Sequence, residues 1–298
     1  MKILVFGSIN IDDVYTVEHF AREGETIDSS SYRRHEGGKG LNQSIALAKA
    51  GISPYFAGAV GEDGRYLLDF MNSFGVNTDY VKIADVPTGH AIIQVDGAGR
   101  NCIILYGGAN RSITPDMADG ILAGFGAGDC LLMQNEISSQ DYIMKAAHAR
   151  GMRILFNASP IADNLTSMPL ELVELFLINE VEGLGLMGRT EPDAILDEML
   201  QLYPSAGILL TLGERGAIFA DSTRRVRQAA IPVKAVDSTA AGDTFTGYFV
   251  QAMLTGCAVE YALLRAAHAA SIAVGRAGAG ESVPYAGEVD EALSVVHK

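Results

Sequence analysis

The chain has 298 residues, and 48% of them are hydrophobic, which predicts one folded domain spanning 1–298. Its formal net charge of −14 argues against nucleic-acid and anionic-membrane partners, because both need basic patches. No apolar run approaches the ~20 residues of a membrane-spanning helix. Three widely spaced cysteines, with no secretory signal, predict a cytoplasmic protein.

Short apolar runs alternate with amphipathic stretches along most of the chain. The runs predict strands at Ile3–Phe6, Tyr55–Ala59, Cys130–Gln134, Arg153–Asn157, Leu175–Ile178, Gly207–Thr211 and Ala217–Ala220. The stretches predict helices at about Leu41–Ala50, Gly64–Phe74, Pro115–Ala123, Ser139–Arg150, Pro192–Tyr203, Ala241–Leu254 and Val259–Val274. This alternation indicates a three-layer α/β fold with a mostly parallel central sheet and helices on both faces.

Two segments, about 11–36 and 88–108, interrupt the alternation with strands in which polar residues are interleaved. The second segment is typical of a hairpin formed by His90–Val95 and Cys102–Tyr106. We expect both segments to lie apart from the main sheet. The small β unit would then present an exposed apolar face that includes Ile92, Ile104 and Tyr106.

A glycine-rich loop, His-Glu-Gly-Gly-Lys-Gly, precedes the first predicted helix. Its glycines allow the backbone to approach a bound molecule, and Lys39 and Asn42 project from the loop and the first helical turn. The segment is not a Walker A loop, because Lys39 is followed by glycine. By itself the loop is little more than a turn of the chain.

A second motif begins with the β-type segment Val233–Val236 and continues through Ala240, Ala241 and Gly242 into a helix. The backbone N–H groups of these small residues, at a helix N-terminus, would form an anion site. Asp243 lies in that first turn, where a carboxylate would repel a bound phosphate. It would be useful as a general base beside a transferring phosphoryl group, although an Asp that only caps the helix is the simpler interpretation.

Together the two motifs, GGKGxNQxxAxAxxG near residue 40 and DxTAAGDTFxG near residue 240, are far more specific than either alone. They resemble the two signatures of the ribokinase-like, or PfkB, carbohydrate kinase family. The resemblance extends over nearly the whole chain, and the pattern is most similar to the ribokinase branch. It implies ATP-dependent phosphorylation of the primary hydroxyl of a sugar, most closely D-ribose to ribose 5-phosphate.

The resemblance also implies roles for individual residues on the sugar side. The matching substrate-binding positions are Asn10, Asp12, Gly38, Lys39, Asn42, Glu136 and Asp243, with Asp243 as the catalytic base. The anion hole would consist of Ala240, Ala241 and Gly242. From local sequence alone, Asn10 and Asp12 could equally form an Asx turn after the first strand.

For the nucleotide, the matching ATP-binding positions are Asn179, Thr211, Gly213, Gly216, Gly242 and His268. Glu182 would bind Mg²⁺, through water, because Mg²⁺ keeps several of its waters. An exposed carboxylate early in a helix is the competing interpretation of Glu182. A lone histidine on an alanine-rich helix, such as His268, is more often simply packed.

The family resemblance further implies a potassium ion beside the anion hole, held mostly by backbone carbonyls. The matching positions are Asp237, Thr239, Ala273, Arg276, Gly278 and Ser282. An ordinary surface loop over Gly275–Gly280 is the alternative. In this family the small β unit covers the sugar as a lid, formed here by about 11–36 and 88–108, and commonly makes a homodimer contact.

Three hypotheses for function remain at this point. The first is an ATP-dependent ribokinase. The second is a kinase for another small substrate, such as 2-deoxyribose, a ketose, a keto-deoxy sugar acid or a nucleoside. The third is a non-catalytic sugar sensor, which the intact Asp243 and its small-residue turn disfavour. A dinucleotide oxidoreductase is disfavoured because no GxGxxG follows the first strand.

Overall fold

The computed structural model describes residues 1–162, 165 and 167–296. Its strands are β1 Ile3–Phe6, β2 Asn10–Thr16, β3 Ser31–Gly37, β4 Tyr55–Val60, β5 Asn77–Ile83, β6 Gly89–Val95, β7 Asn101–Tyr106, β8 Cys130–Gln134, β9 Arg153–Asn157, β10 Leu175–Asn179, β11 Gly207–Thr211, β12 Ala217–Ala220 and β13 Arg225–Gln228. Its α-helices are α1 Lys39–Lys49, α2 Arg65–Ser73, α3 Pro115–Leu122, α4 Gln140–Ala149, α5 Glu180–Met187, α6 Pro192–Leu202, α7 Ala241–Leu254, α8 Val259–Val274 and α9 Ala286–Val296.

Within the described residues, nine strands form the central sheet in the order β13-β12-β11-β10-β9-β8-β1-β4-β5. The strands from β11 to β5 are parallel to their neighbours, and β12 and β13 add an antiparallel edge. The strand order reverses between β1 and β8. A crevice opens at such a point, beyond the carboxyl ends of the strands. The predicted fold class is confirmed.

Successive side chains along each buried strand pack alternately into two hydrophobic cores, one on each face of the sheet. In β1, Ile3 and Val5 join the core beneath α1, α2, α7, α8 and α9, while Leu4 and Phe6 join the core beneath α3, α4 and α6. Both faces are therefore covered, which is why the strands are continuously apolar. No helix among the described residues combines the length and the apolar character required to cross a membrane.

A second sheet of four strands, which we call the small sheet, has the order β3-β2-β6-β7. Strand β2 pairs antiparallel with β3 and parallel with β6, and β6 pairs antiparallel with β7. These strands come from the two segments that interrupt the main alternation. The arrangement brings β2, which carries Asn10 and Asp12, next to the loop before α1 through the register pair Asn10 and Gly37.

The structure differs from the sequence prediction at several elements. Strands β5 and β13 and helices α5 and α9 were not predicted, because β13 is largely polar and α5 contains two glycines. The β-type segment predicted at Val233–Val236 is wrong, since these residues form no strand. The amide of Val236 donates to the carbonyl of Val274 at the end of α8 (2.9 Å), so the segment pairs with that helix end.

Candidate active site

Polar side chains from neighbouring parallel strands meet at the carboxyl edge of the central sheet. Glu136 follows β8, Asn157 ends β9, Asn179 ends β10 and Thr211 ends β11. Helix α7 begins at the same edge and brings Asp243 to it. All these positions lie on one side of the sheet because parallel strands place their carboxyl ends together.

Asp243 is held by two amide side chains from the first turns of α1. Its Oδ1 accepts a hydrogen bond from Gln43 Nε2 (2.9 Å), and its Oδ2 accepts one from Asn42 Nδ2 (3.2 Å). Burial raises the pKa of Asp243 above its ordinary value, while Lys39 and the two amides oppose that rise. A carboxylate with a raised pKa is better suited to accept a proton near neutral pH.

The first turn of α7 supplies free backbone donors beside this carboxylate. Ala240 adopts a left-handed conformation (φ 57°) and accepts the first helical bond, from Thr244 N (2.8 Å). The N–H of Ala241 donates to Ser238 O at 3.3 Å. Within the described residues, the N–H groups of Gly242 and Asp243 donate to no acceptor. Gly242 and Asp243 both line the smaller cavity described below, so two free donors lie at its wall.

Four carboxylates act on the charge of Lys39. Burial alone would lower the pKa of Lys39, but the charges of Asp243, Glu136, Glu182 and Asp12 raise it above its ordinary value. Its ammonium therefore stays protonated at neutral pH. The site combines a fixed positive charge with acidic groups from the small sheet, from the loop after β8 and from two helices.

The predicted sugar-side residues converge around Lys39. Burial raises the pKa of Asp12 to about 7, and the charges of Glu136 and Asp13 add to the effect. Burial also raises the pKa of Glu136, which accepts hydrogen bonds from Ser8 Oγ and from Lys39 N (3.4 Å). The two carboxylates are therefore partly dehydrated, as expected where hydroxyl groups replace water.

Two amide residues complete the set that was predicted to bind the sugar. Asn10 is buried, and its Oδ1 accepts a hydrogen bond from Asn110 Nδ2 (2.8 Å), so half of its amide is used within the fold. The Oδ1 atom of Asn42 is buried and has no partner among the described residues. A buried polar atom without a partner is costly, and a ligand hydroxyl would remove that cost.

Gly38 shows why the loop before α1 is rich in glycine. Its φ is 97°, and a Cβ there would lie 2.9 Å from Ser8 O and 3.0 Å from Asn10 N. Any other residue would push the loop away from β1 and β2. The glycine therefore fixes the distance between Lys39 and the small sheet.

Two adjoining cavities open on this edge. The first, of about 170 Å³, is lined by Lys39, Asn157, Ser159, Asn179, Glu182, Thr246 and the turn Ala240–Asp243, among others. The second, of about 580 Å³, is lined by Thr211, Gly213, Gly216 and a mostly apolar wall that includes Ile231, Val233, Phe245, Ala267, Ala270 and Val274. They share Thr211, Ser238, Ala241 and Gly242. A polar chamber thus joins a larger apolar one at the turn before α7.

Asn179 and Glu182 form a reciprocal capping box at the start of α5. Asn179 Oδ1 accepts from the amides of Val181 (2.7 Å) and Glu182 (3.0 Å), and Glu182 Oε2 accepts from Asn179 N (2.7 Å). The cap fixes both side chains at the wall of the smaller cavity. Glu182 is buried, which distinguishes it from the exposed carboxylate of the alternative interpretation.

His268 lies apart from the other predicted ATP-binding residues. It is buried on α8, its Nε2 has no partner among the described residues, and burial lowers its pKa. The larger cavity is lined instead by its neighbours Ala267, Ala270 and Ser271. These lie on the adjacent face of the same helix.

The residues predicted to hold potassium come from two segments that lie side by side. Asp237 Oδ1 accepts from Thr239 N (2.9 Å), and its Oδ2 accepts from Gly278 N (3.1 Å). The Arg276 guanidinium pairs with Glu288, so the side chain of Arg276 is used within the fold. The carbonyl of Ala273 accepts from Arg276 N (2.9 Å), and Ser282 donates twice to the carbonyl of Ala279.

Several residues of the site were missed by the sequence reasoning. Asn157 and Ser159 line the smaller cavity, and a polar residue at the end of a parallel strand was the available signal for Asn157. Gln43 contacts Asp243 and was part of the glycine-loop motif. No local sequence pattern indicated the apolar wall of the larger cavity, because its residues come from α7, α8 and the segment after β13.

Comparison with known proteins places the chain among sugar kinases. Residues 1–286 match the family model described as pfkB family carbohydrate kinase. Ribokinase from Bacillus subtilis is 35% identical over 298 residues, which is 98% of this chain and 99% of that protein. The bifunctional ribokinase/ribose-5-phosphate isomerase A of Fructilactobacillus sanfranciscensis is 34% identical over 294 residues, 95% of this chain. The chain spans about half the length of that relative, 54%.

The structural comparison agrees. The structure of Arabidopsis thaliana ribokinase complexed with ribose and ATP matches with a TM-score of 0.85 at 32% identity, over 98% of both chains. The family match covers nearly the whole chain and includes both motifs that line the crevice. The chain therefore belongs to the pfkB family of carbohydrate kinases.

Proposed function

We propose that this protein transfers the γ-phosphoryl group of ATP to the primary 5-hydroxyl of D-ribose, giving ribose 5-phosphate and ADP. The observation that carries the proposal is the position of Asp243, a half-buried carboxylate with a raised pKa beside two free N–H donors of α7. The names of the full-length relatives support ribose as the sugar.

On the sugar side, the ring hydroxyls would be bound by Asn10, Asp12, Gly38, Lys39, Asn42 and Glu136. Carboxylate and amide oxygens accept hydrogen bonds from hydroxyls, and Lys39 donates them. A site that pairs each hydroxyl discriminates strongly against an analogue that lacks one, because its buried groups are then left unpaired. The unpartnered Asn42 Oδ1 supports this arrangement.

In the chemical step, the Asp243 carboxylate takes the proton of the primary hydroxyl. The hydroxyl oxygen forms its bond to the γ-phosphorus as the bond to the ADP oxygen breaks. The N–H groups of the turn Ala240–Asp243 stabilise the charge on the transferring group, with Gly242 and Asp243 free to do so. Lys39, held in the charged form, adds a second stabilising group at the smaller cavity.

For the nucleotide, the phosphates would occupy the smaller cavity beside Asn179 and Gly242. The larger cavity, with Thr211, Gly213, Gly216 and an apolar wall, suits the adenosine. His268, on α8 behind that wall, would contribute to ATP binding. The polar and apolar halves of ATP thus match the polar and apolar halves of the crevice.

Glu182 would hold Mg²⁺ through water. Mg²⁺ prefers oxygen ligands and is commonly bound by one or two carboxylates together with phosphate oxygens. Glu182 fits because it is buried and fixed at the wall of the phosphate cavity. The ion would supply charge neutralisation at the phosphates.

Potassium would bind between Asp237, Thr239, Ala273, Arg276, Gly278 and Ser282. The Asp237 carboxylate, which bridges the two segments, and the nearby carbonyls have the oxygen chemistry of a monovalent-cation site. Thr239 immediately precedes the anion-binding turn, so an ion there would act on the geometry of that turn. It would also offset phosphate charge.

The small sheet would act as a lid and as a dimer contact. Its edge strand β7 exposes Ile103 (52%), Ile104 (60%), Leu105 (44%) and Tyr106 (48%). An exposed apolar edge strand is an aggregation hazard unless another chain covers it. A second copy of this chain would cover it.

The cytoplasm, where cysteines stay reduced, is the expected location, since Cys102, Cys130 and Cys257 are all free.

A substrate panel tests the proposed function. ADP release is measured with D-ribose, 2-deoxyribose, ketoses, hexoses, keto-deoxy sugar acids and nucleosides. D-ribose should give the highest kcat/KM, because loss of one paired hydroxyl leaves buried polar groups unpaired. A value about tenfold higher for another compound would change the substrate assignment. No ATP turnover with any sugar would leave a non-catalytic sensor.

A further inference from the structure

A chain of hydrogen bonds from three glutamines leads from α4, through the main-chain carbonyl and then the side chain of Gln134, to Asp243. Gln140 Nε2 donates to Gln134 O (2.8 Å), Gln134 Nε2 donates to Gln43 Oε1 (2.8 Å), and Gln43 Nε2 donates to Asp243 Oδ1 (2.9 Å). Gln43 and Gln134 are fully buried, and Gln140 is 4% exposed. The chain crosses the sheet edge from one core to the other and ends at the carboxylate.

The chain fixes which end of the Gln43 amide faces the carboxylate. Because Gln134 Nε2 donates to Gln43 Oε1, the NH₂ group of Gln43 points toward Asp243. The opposite orientation would set the Gln43 oxygen against the carboxylate, where both atoms are acceptors, and would also lose the bond from Gln134. Losing a hydrogen bond in a buried site is costly, so one orientation dominates.

The two oxygens of Asp243 are therefore not equivalent. Oδ1 is bonded to a wholly buried donor that belongs to the protein scaffold. Oδ2 accepts a longer bond, 3.2 Å, from Asn42, a residue placed on the sugar side. The oxygen with the shorter hydrogen bond from the scaffold is the weaker proton acceptor, whereas Oδ2 has the longer bond and lies beside Asn42.

We propose that Gln43 is a positioning residue for phosphoryl transfer: it holds Oδ1 of Asp243, so that Oδ2 takes the proton from the sugar hydroxyl, and Gln134 keeps the Gln43 amide in the donating orientation. The inference rests on the proposed function. In the step, the hydroxyl proton moves to Oδ2 while the hydroxyl oxygen bonds to the γ-phosphorus and the ADP oxygen leaves. Gln43 neither gains nor loses a proton.

The electrostatics of Asp243 give the inference a second readout. Burial raises the pKa of Asp243, and the hydrogen bonds from Gln43 and Asn42 lower it, together with the ammonium of Lys39. The other charged group that faces it, Glu136, lies across the sugar site. Removing the Gln43 amide therefore raises the pKa of Asp243. Because the base must be ionised, the acid limb of the kcat–pH profile should move to higher pH.

The test compares Gln43→Leu and Gln134→Leu with wild type, using D-ribose and ATP. For Gln43→Leu, we expect kcat to fall about 10- to 100-fold, the rate equivalent of one hydrogen bond to a charged group, with both KM values unchanged. The acid limb should move to higher pH. Gln134→Leu should shift kcat and the limb in the same directions by less, since it loosens Gln43 without removing it.

Gln251→Leu is the matched control. Gln251 is a buried glutamine of the same helix as Asp243, and its Oε1 has no partner among the described residues. It should keep the wild-type kcat and pH profile, which separates positioning from general loss of packing. If Gln43→Leu does not fold, Gln43→Met, which keeps the length of the side chain, and Gln134→Leu decide the question.

A wild-type kcat and an unmoved acid limb in the folded Gln43 variant would overturn the inference. So would a loss no larger than that of Gln251→Leu. Failure of the proposed function has a different signature, since wild type itself would then turn over no sugar. If another sugar is the substrate, the same comparison is made with it, and the same results support or overturn the role of Gln43.

Discussion

The carboxylate of Asp12 is a strongly perturbed titrating group among the residues predicted to bind the sugar. It lies on β2 of the small sheet and faces Glu136 and Lys39, and burial raises its pKa from 3.8 to about 7. Near neutral pH its charge is therefore not fixed. A group of this kind makes sugar binding sensitive to pH, because the ionised form accepts hydrogen bonds from hydroxyls and the protonated form accepts fewer.

We expect ribose to bind more tightly at about pH 8 than at about pH 6, because Asp12 is mostly ionised only above about pH 7. Titration calorimetry with ribose at both pH values is the measurement. Asp12→Asn, which cannot ionise, should bind ribose more weakly and lose most of this dependence. An unchanged pH dependence in the variant would assign the effect to another group.

The same shift has a consequence for stability. Since the folded-state pKa of Asp12 lies above its unfolded value, the folded chain binds more protons than the unfolded chain between about pH 4 and pH 7. The contribution of Asp12 to the free energy of unfolding therefore falls as pH rises through that window. Asp12→Asn should accordingly stabilise the protein more at about pH 8 than at about pH 4, as measured by thermal unfolding at each pH.

At the scale of the elements, α1 connects the residues predicted to bind the sugar with the segment proposed for potassium. Its first turn carries Asn42 and Gln43, which contact Asp243. At its last residue, the buried Lys49 Nζ donates to the carbonyls of Gly280 and Glu281 (3.1 Å each) and Val283 (2.8 Å). The helix thus ties the sugar side to the segment proposed for potassium.

Lys49→Met should destabilise the protein by at least about 2 kcal/mol, because it leaves buried carbonyls without a donor. The measurement is urea unfolding at neutral pH. Lys145→Met, at an exposed lysine of α4, is the control and should change the free energy of unfolding by no more than about 0.5 kcal/mol. Equal stability of the two variants would show that water or a bound ion replaces the ammonium.

The bounds of the elements show how much of the fold could be predicted from the sequence. The strands β1, β8, β9, β11 and β12 were predicted with their observed bounds, because a strand buried on both faces is continuously apolar. Strand β13 was missed because it is polar at the sheet edge. Helix α5 was missed because glycines weaken the helical signal, although its capping box, Asn179 with Glu182, was in the sequence.

The sequence could predict those candidate site residues that lie in recognisable motifs. Asp243, Lys39 and Asn42 lie in motifs, and the structure brings them together. The hydrogen bond from Gln134 to Gln43 joins residues that are 91 positions apart, so no local pattern indicates it. Which N–H donors of the turn are free could be learned only from the backbone geometry. Ala241 N, for example, is bonded to Ser238 O.

At the scale of the whole molecule, the exposed face of β7 predicts the oligomeric state. Ile104→Asp should convert a dimer into a monomer, because a buried charge without a partner opposes association. Light scattering after size-exclusion chromatography is the measurement. Leu202→Asp, on α6, removes another exposed apolar residue (57% exposed) and should leave the dimer intact. A monomeric wild type would end the dimer proposal.

The net charge of −14 makes local cations important for a protein that would bind ATP. At constant ionic strength, potassium should raise kcat or kcat/KM several-fold, and sodium should be less effective because its smaller radius fits a wide carbonyl cage poorly. A bulky organic cation at the same ionic strength is the control. Equal turnover in all three media would leave the loop around Gly278 as an ordinary surface loop.

We propose that this chain phosphorylates ribose with Asp243 as the base. The most direct test measures ADP formation and identifies the sugar product by phosphorus NMR, for wild type and for Asp243→Asn. Wild type should give ribose 5-phosphate in equal amount to ADP, and the variant should lose about 10²–10⁴-fold in kcat while still binding ribose and ATP. A folded variant that keeps more than about a tenth of the wild-type kcat would show that Asp243 is not the base.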